Sequence, residues 1–261
     1  MPESSYAESE SSTFELALKT AASLPGVHIN RTKFLKRELK KFCTDAEIKL
    51  AIEHNPAYAG IPIDTVQKIA NGCINYETNQ VSAVSFVAGL PGGIAMAGTI
   101  PADIAQYFGH ILRILQKLMY LYGWDEIFDS NGEIDDETKN VLTLFAGVMF
   151  GVNGAATTIT KLSASAATRA SKSLANKALT KYTVYNVVKQ IAKVLGVQMN
   201  KQIFAKSVSK IIPVVGGVAS GGLTYVTFRP CAKRLQRYLE TLKWCDTSYY
   251  ETIETTTEPG Y

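Results

Sequence analysis

Three stretches of this chain carry no charged side chain: Thr78 to Ala102, Val141 to Thr160 and Ile211 to Phe228. Each is close to the length, roughly 20 residues, that a helix needs to cross a bilayer, so each reads as a helix packed within the protein or against lipid. Their composition favours protein. The runs are rich in Gly, Ala, Ser and Thr rather than Leu and Phe, which makes transfer into hydrocarbon marginal. Gly147, Gly151 and Gly154 follow a small-residue spacing that lets helix backbones approach closely, as do Gly217 and Gly221 with Gly216, Ala219, Ser220 and Gly222 beside them. The expectation is a set of Gly/Ala-rich central helices forming tight hairpins at the core of an all-α domain. The alternative is a helical hairpin that is buried in one form and opens onto a bilayer in another.

The remaining pattern is helical too. Apolar residues recur three and four apart, and no run alternates as a strand would. Early amphipathic helices are expected at Thr13 to Leu24, Thr32 to Phe42 and Thr44 to Glu53, with Asp45 and Asp64 placed to start or cap helices. At 261 residues and 46% hydrophobic composition the chain can bury a sizeable core, and its middle contains no Pro/Gly/Ser-rich linker. One multi-helix domain over 13–246 is therefore expected, between an acidic tail at 1–12 and a low-complexity tail at 247–261, both disordered by composition. The polar N-terminus lacks the basic-then-apolar order of a signal peptide, which points to the cytoplasm. Cys43, Cys73, Cys231 and Cys245 fall at no regular spacing and read as free thiols, mostly buried, rather than a metal site or disulfide framework.

Charge is distributed unevenly. Between Glu137 and Glu240 there is no Asp or Glu, yet there are fifteen Lys and Arg, an asymmetry hidden by the formal net charge of +4. In TVYNVVKQIAKVLG, Val184, Val187, Val188, Ile191, Val194 and Leu195 share one face opposite Asn186, Lys189 and Lys193. The series continues through Lys201, Lys206 and Lys210, and a last helix adds Arg229, Lys233, Arg234 and Arg237. A solvated face is the ordinary meaning of such a series. The missing carboxylates point further, to an anionic surface, because each unpaired Lys or Arg near an anionic leaflet contributes about 1 kcal/mol of attraction. Lysines spread over several helices without a recognisable motif argue against nucleic acid.

The most patterned element follows Pro101, which fits a first helical turn where its missing donor costs nothing. At about 100° per residue, Asp103, Gln106, His110, Arg113 and Lys117 fall on one narrow stripe, while Ile104, Phe108, Ile111, Leu112, Leu115, Leu118 and Met119 cover the rest. The stripe is either a solvent-facing ribbon or an internal polar groove able to hold a phosphate headgroup or exchange protons. Other chemistry is excluded motif by motif. No Walker loop occurs, GLPGGIAMAG lacks the flanking strand and acidic residue of a dinucleotide fingerprint, and no Gly-x-Ser-x-Gly is present. His28, His54 and His110 are too separated to suggest zinc. The cluster from Asp129 to Glu137 misses the ligand spacing of a calcium loop and reads as a turn into a helix whose positive end suits Asp135 and Asp136.

Gly89 to Gly93 (GLPGG), Thr99 to Trp124 (TIPADIAQYFGHILRILQKLMYLYGW) and Ile211 to Pro230 (IIPVVGGVASGGLTYVTFRP) resemble, in order and separation, the signature segments of the EcsC family of bacterial proteins. The resemblance covers roughly residues 30 to 245. It implies an all-helical domain without an established biochemical activity. Pro101, Asp103, Arg113, Gln116, Tyr122, Gly123, Pro213, Gly216 and Gly217 match its pattern, and none carries a catalytic role by that resemblance.

The expected function is a non-catalytic domain of the EcsC type. It would associate with a membrane surface or a protein partner through its basic C-terminal half, sit peripherally at the inner face of the cell membrane, and need no cofactor or metal. The other expectation is a lipid- or amphiphile-binding protein, or an enzyme, with a groove of Asp103, Gln106, His110, Arg113 and Gln116.

Overall fold

Helix α5 (Ala102–Leu121) is the axis of the molecule. Its Ile111, Leu112, Ile114, Leu115, Leu118 and Met119 are fully buried, so the helix that reads as nearly apolar all round is covered nearly all round. Each such side chain contributes about 1.5–3 kcal/mol on burial. The computed structural model describes residues 14–88, 102–128, 135–167, 190 and 227–251, with side chains for all of these except 83–88, 102–104, 137 and 162–167. Among the described residues every regular element is a helix and none is a strand, as the periodicity predicts.

Helix α1 (14–22) lays Phe14 edge-on against Phe108 of α5, ring centroids 5.7 Å apart. Helices α2 (Arg31–Leu39) and α3 (Asp45–Glu53) form a short pair beside α5. Thr44 rather than Asp45 caps α3, in a capping box with Glu47. Helix α4 (Ile63–Ala88) makes the most extensive pairing with α5; the uncharged run read from Thr78 is only its C-terminal part. The rest of that run before α5, including the GLPGG turn, lies outside the described residues.

The second uncharged run folds as a tight hairpin. Asp135 accepts from the Thr138 amide to start α6 (Asp136–Phe150), and Gly151, left-handed at φ 75°, ends it; four residues later α7 (Ala155–Ala167) runs back along it. The third run, with Gly217 and Gly221, lies outside the described residues except for Thr227 and Phe228, which open α8 (227–239). Among the described residues no helix is long and apolar enough to cross a membrane.

The lower end of α5 is closed by aromatic rings. Trp124 stands edge-on to Phe145 of α6 at 4.9 Å and to Trp244 at 5.7 Å, and the Trp244 indole donates to the Tyr122 carbonyl at 3.1 Å. Gly123 is left-handed there, at φ 89°, and a Cβ on it would lie 3.0 Å from the Trp244 ring. Residues 247–251, read from sequence as the start of a disordered tail, instead form α9. Its Tyr250 hydroxyl accepts from Asn55 at 2.7 Å and donates to the Trp244 carbonyl at 3.2 Å, so the folded domain extends past 246.

Candidate functional site

Basic side chains meet α4 along two seams, one from α5 and one from α8. On the α5 side stands Glu77, fully buried. Its Oε2 accepts from His110 Nδ1 at 2.7 Å, and its Oε1 accepts from Arg113 Nε at 3.0 Å and Lys117 Nζ at 2.5 Å. Helical spacing brings all three donors to one carboxylate, since His110, Arg113 and Lys117 follow one another at three and four residues. Arg113 also donates to the Gly26 carbonyl, and the Lys117 ammonium lies 5.0 Å from the centre of the Tyr76 ring. The seam thus ties α4, α5 and the loop between α1 and α2 together.

Burial alone would push the Glu77 carboxyl up, but the hydrogen bond from His110, the charge and hydrogen bond of Lys117 and the charge of Arg113 hold it at about 2. An ionised carboxylate can only accept, so His110 carries a hydrogen on Nδ1. The basic part of the α5 stripe, His110, Arg113 and Lys117, therefore turns inward onto α4 rather than lining an open groove. The acceptor for its basic groups is the protein's own carboxylate.

The α8 seam is built differently. Arg229, Lys233 and Arg237 are spaced four apart on one face. Arg229 Nε donates to Asn75 Oδ1 at 3.2 Å, and Lys233 Nζ donates to Asn71 Oδ1 and to Gln236 Oε1, the latter at 3.0 Å. Arg237 is exposed, and its Nε donates to the Lys233 carbonyl of its own helix at 3.3 Å. Burial pulls the Lys233 ammonium below its usual range, with the Arg229 and Arg237 charges adding to the shift against an opposing pull from Glu240. Among the described residues, none of these three cations has a carboxylate within ion-pair distance. Glu240 itself accepts from the Tyr122 hydroxyl at 2.7 Å.

The structure sorts the residues expected from sequence. His110 and Arg113 meet at Glu77, whereas Gln106 is exposed and the Asp103 side chain lies outside the described residues. Gln116 belongs elsewhere. Fully buried, it accepts from the Ile29 amide and donates to the Val27 carbonyl, both at 2.9 Å, so it is a backbone surrogate that pins the loop before α2. Arg234 is also structural. Its guanidinium donates to the Met149 carbonyl at 2.9 Å and lies against Gly151, satisfying the C-terminal end of α6, where a cation is favoured. Lys189, Lys193, Lys201, Lys206 and Lys210 lie outside the described residues.

Sequence reasoning missed Glu77, Asn71, Asn75 and Arg31. Arg31 is buried and donates to the carbonyls of Ala51, Ile52, His54 and Trp124 at 2.6–3.2 Å. The four cysteines are free, and burial pushes the Cys73 and Cys245 thiols up to about 12, leaving them unreactive. Among the described residues, no three His, Cys, Asp or Glu converge as a metal site would require. No protein-family model matches this chain, and no curated protein or solved structure does.

Proposed function

We propose that this protein is a non-catalytic, peripheral module that docks on an anionic membrane surface through the basic side of α8 and the cationic half of the chain to which it belongs. The observation that carries this reading is the α8 seam. Arg229, Lys233 and Arg237 repeat a like charge at every turn, which is unfavourable within a helix, and the α4 residues that Arg229 and Lys233 meet are amides. A fold that needed only stability would place a carboxylate there. The neighbouring sequence has the same bias, because no Asp or Glu interrupts the fifteen Lys and Arg between Glu137 and Glu240. Electrostatic attraction of this kind acts at the surface without a spanning helix. The resemblance to the EcsC family is compatible with this reading, and we extend it to a location at the inner face of the cell membrane.

The alternative, a lipid-binding groove along α5, is less favoured because His110, Arg113 and Lys117 already share Glu77. Cosedimentation with vesicles tests the reading. Binding to anionic vesicles at low salt, loss at high salt and no retention of protein on neutral vesicles are expected, with Arg229→Gln/Arg237→Gln weakening the binding. Absence of binding to anionic vesicles at low salt would overturn it, and retention through a carbonate wash would replace surface docking with insertion.

A further inference from the structure

We infer that Arg229 and Lys233 of α8, with Asn71 and Asn75 of α4, form a seat for a phosphate monoester, the group that a membrane presents as phosphatidic acid and solution presents as a sugar or glycerol phosphate. The inference rests on the surface-docking reading in its lipid form and adds a ligand chemistry to it.

The argument begins with charge. Two cations one turn apart, with Cβ atoms roughly 5–6 Å from each other, can reach the oxygens of a single phosphate. Their combined charge matches a monoester, which approaches two negative charges near neutral pH. A phosphodiester offers one negative charge and fewer free oxygens. The guanidinium of Arg229 is a planar fork suited to two phosphate oxygens, and among the described residues only its Nε is engaged, by Asn75.

The amides complete the seat. Asn75 and Asn71 now turn their carbonyl oxygens to Arg229 and Lys233. Turned over, each would present an NH2 group to an oxyanion, a change that an Asp could not make. Asp at either position would also repel the ligand.

Access is provided by Gly72. It lies within the long helix α4, where glycine costs about 1 kcal/mol relative to alanine. Among the described residues nothing stands within 4 Å of the Cβ it lacks, so no close packing there explains it. It is exposed, three residues before Asn75 and one turn before Tyr76, whose side chain is also exposed. The α4 backbone is thereby uncovered beside the amides, with an aromatic ring at its margin of the kind that favours a membrane interface.

The test compares the full-length protein with Asn75→Asp and Arg229→Gln on vesicles containing phosphatidic acid or phosphatidylserine at equal surface charge. Melting temperatures with and without glycerol 3-phosphate, at constant ionic strength, are measured alongside. The wild type should prefer phosphatidic acid by about tenfold, the scale of one or two charge-assisted hydrogen bonds. Both variants should lose that preference, and Asn75→Asp should melt no lower than the wild type because Arg229 gains a carboxylate. Equal binding of both lipids by the wild type, with no glycerol 3-phosphate effect, would overturn the seat and leave surface docking standing. A preference retained in both variants would also overturn it. Stabilisation of the wild type alone by glycerol 3-phosphate, without vesicle binding, would support the seat for a soluble ligand and overturn the membrane reading.

Discussion

Helix α4 faces basic side chains on two sides, and the two seams differ in what α4 offers them. Toward α5 it offers Glu77, which receives His110, Arg113 and Lys117 and is fully buried. Toward α8 it offers Asn71 and Asn75, which receive Lys233 and Arg229 without neutralising either. The first arrangement satisfies charge inside the fold and stabilises it once all its partners are present. The second leaves its cations without a carboxylate partner among the described residues, and this is the charge that the proposed docking would use. Counting cations would rate the seams alike; their counter-charges separate them.

The largest effect should come from removing the buried carboxylate. Glu77→Gln leaves Arg113 and Lys117 without a counter-charge, and loss of one partner of a buried pair costs about 3–5 kcal/mol. Urea unfolding followed through Trp124 and Trp244, the two tryptophans of the chain, measures it. A cost below about 1 kcal/mol would mean that the α5 seam is no more internal than the α8 seam.

Acid should distinguish the seams next. The Glu77 carboxyl is lowered from 4.5 to about 2 on folding, so its stabilisation is fully present above about 4.5 and lost as pH falls toward about 2. Integrated over that window it is on the order of 3 kcal/mol. The α8 seam contributes no carboxylate from α4 to this slope. Wild type and Glu77→Gln should therefore converge in stability between pH 4.5 and 2, and parallel curves would contradict the assignment of Glu77 as the ionised hub.

Converting one seam toward the other should have a smaller effect, of opposite sign. Asn71→Asp gives Lys233 a carboxylate and should stabilise the protein by about 0.5–1 kcal/mol, the range of a partly exposed ion pair. Destabilisation in thermal melts would show that the amide is held for packing instead. Smallest of all, Arg237→Gln should change stability by less than about 0.5 kcal/mol, since its side chain is exposed, while weakening attachment to anionic vesicles. An unchanged vesicle affinity would detach Arg237 from the α8 surface.

These seams also mark how far the sequence could be read. Helix starts were legible because their signals are local: Asp135 stands directly before α6, and Asp45 opens α3, although the cap itself is its neighbour Thr44, paired with Glu47. The stripe of His110, Arg113 and Lys117 was legible as a periodicity within one helix. Its meaning was not, because Glu77 lies 33 residues before His110 on another helix, and no local pattern announces that pairing. Glu77 stands immediately before the uncharged run that begins at Thr78, and nothing in that position marks it as a hub. Asn71 and Asn75 gave no signal at all, since asparagine on a helix surface is unremarkable until arginine and lysine from α8 are placed opposite. Gln116 and Tyr122 stood out only through a resemblance that no family model supports; their work, pinning the Val27–Ile29 loop and holding Glu240 and Gln236, depends on tertiary contacts.

Arg31 has a further consequence, for the way the molecule comes apart. Starting from α2, its guanidinium joins three carbonyls around the end of α3 to the one at Trp124, just beyond α5. Releasing any of these segments strands part of a buried cation, so α2, the end of α3 and the turn after α5 are coupled into one cooperative unit. Amides in the last turn of α3, in a helix too short to persist alone, should exchange their hydrogens with the unfolding of this whole unit rather than by independent fraying.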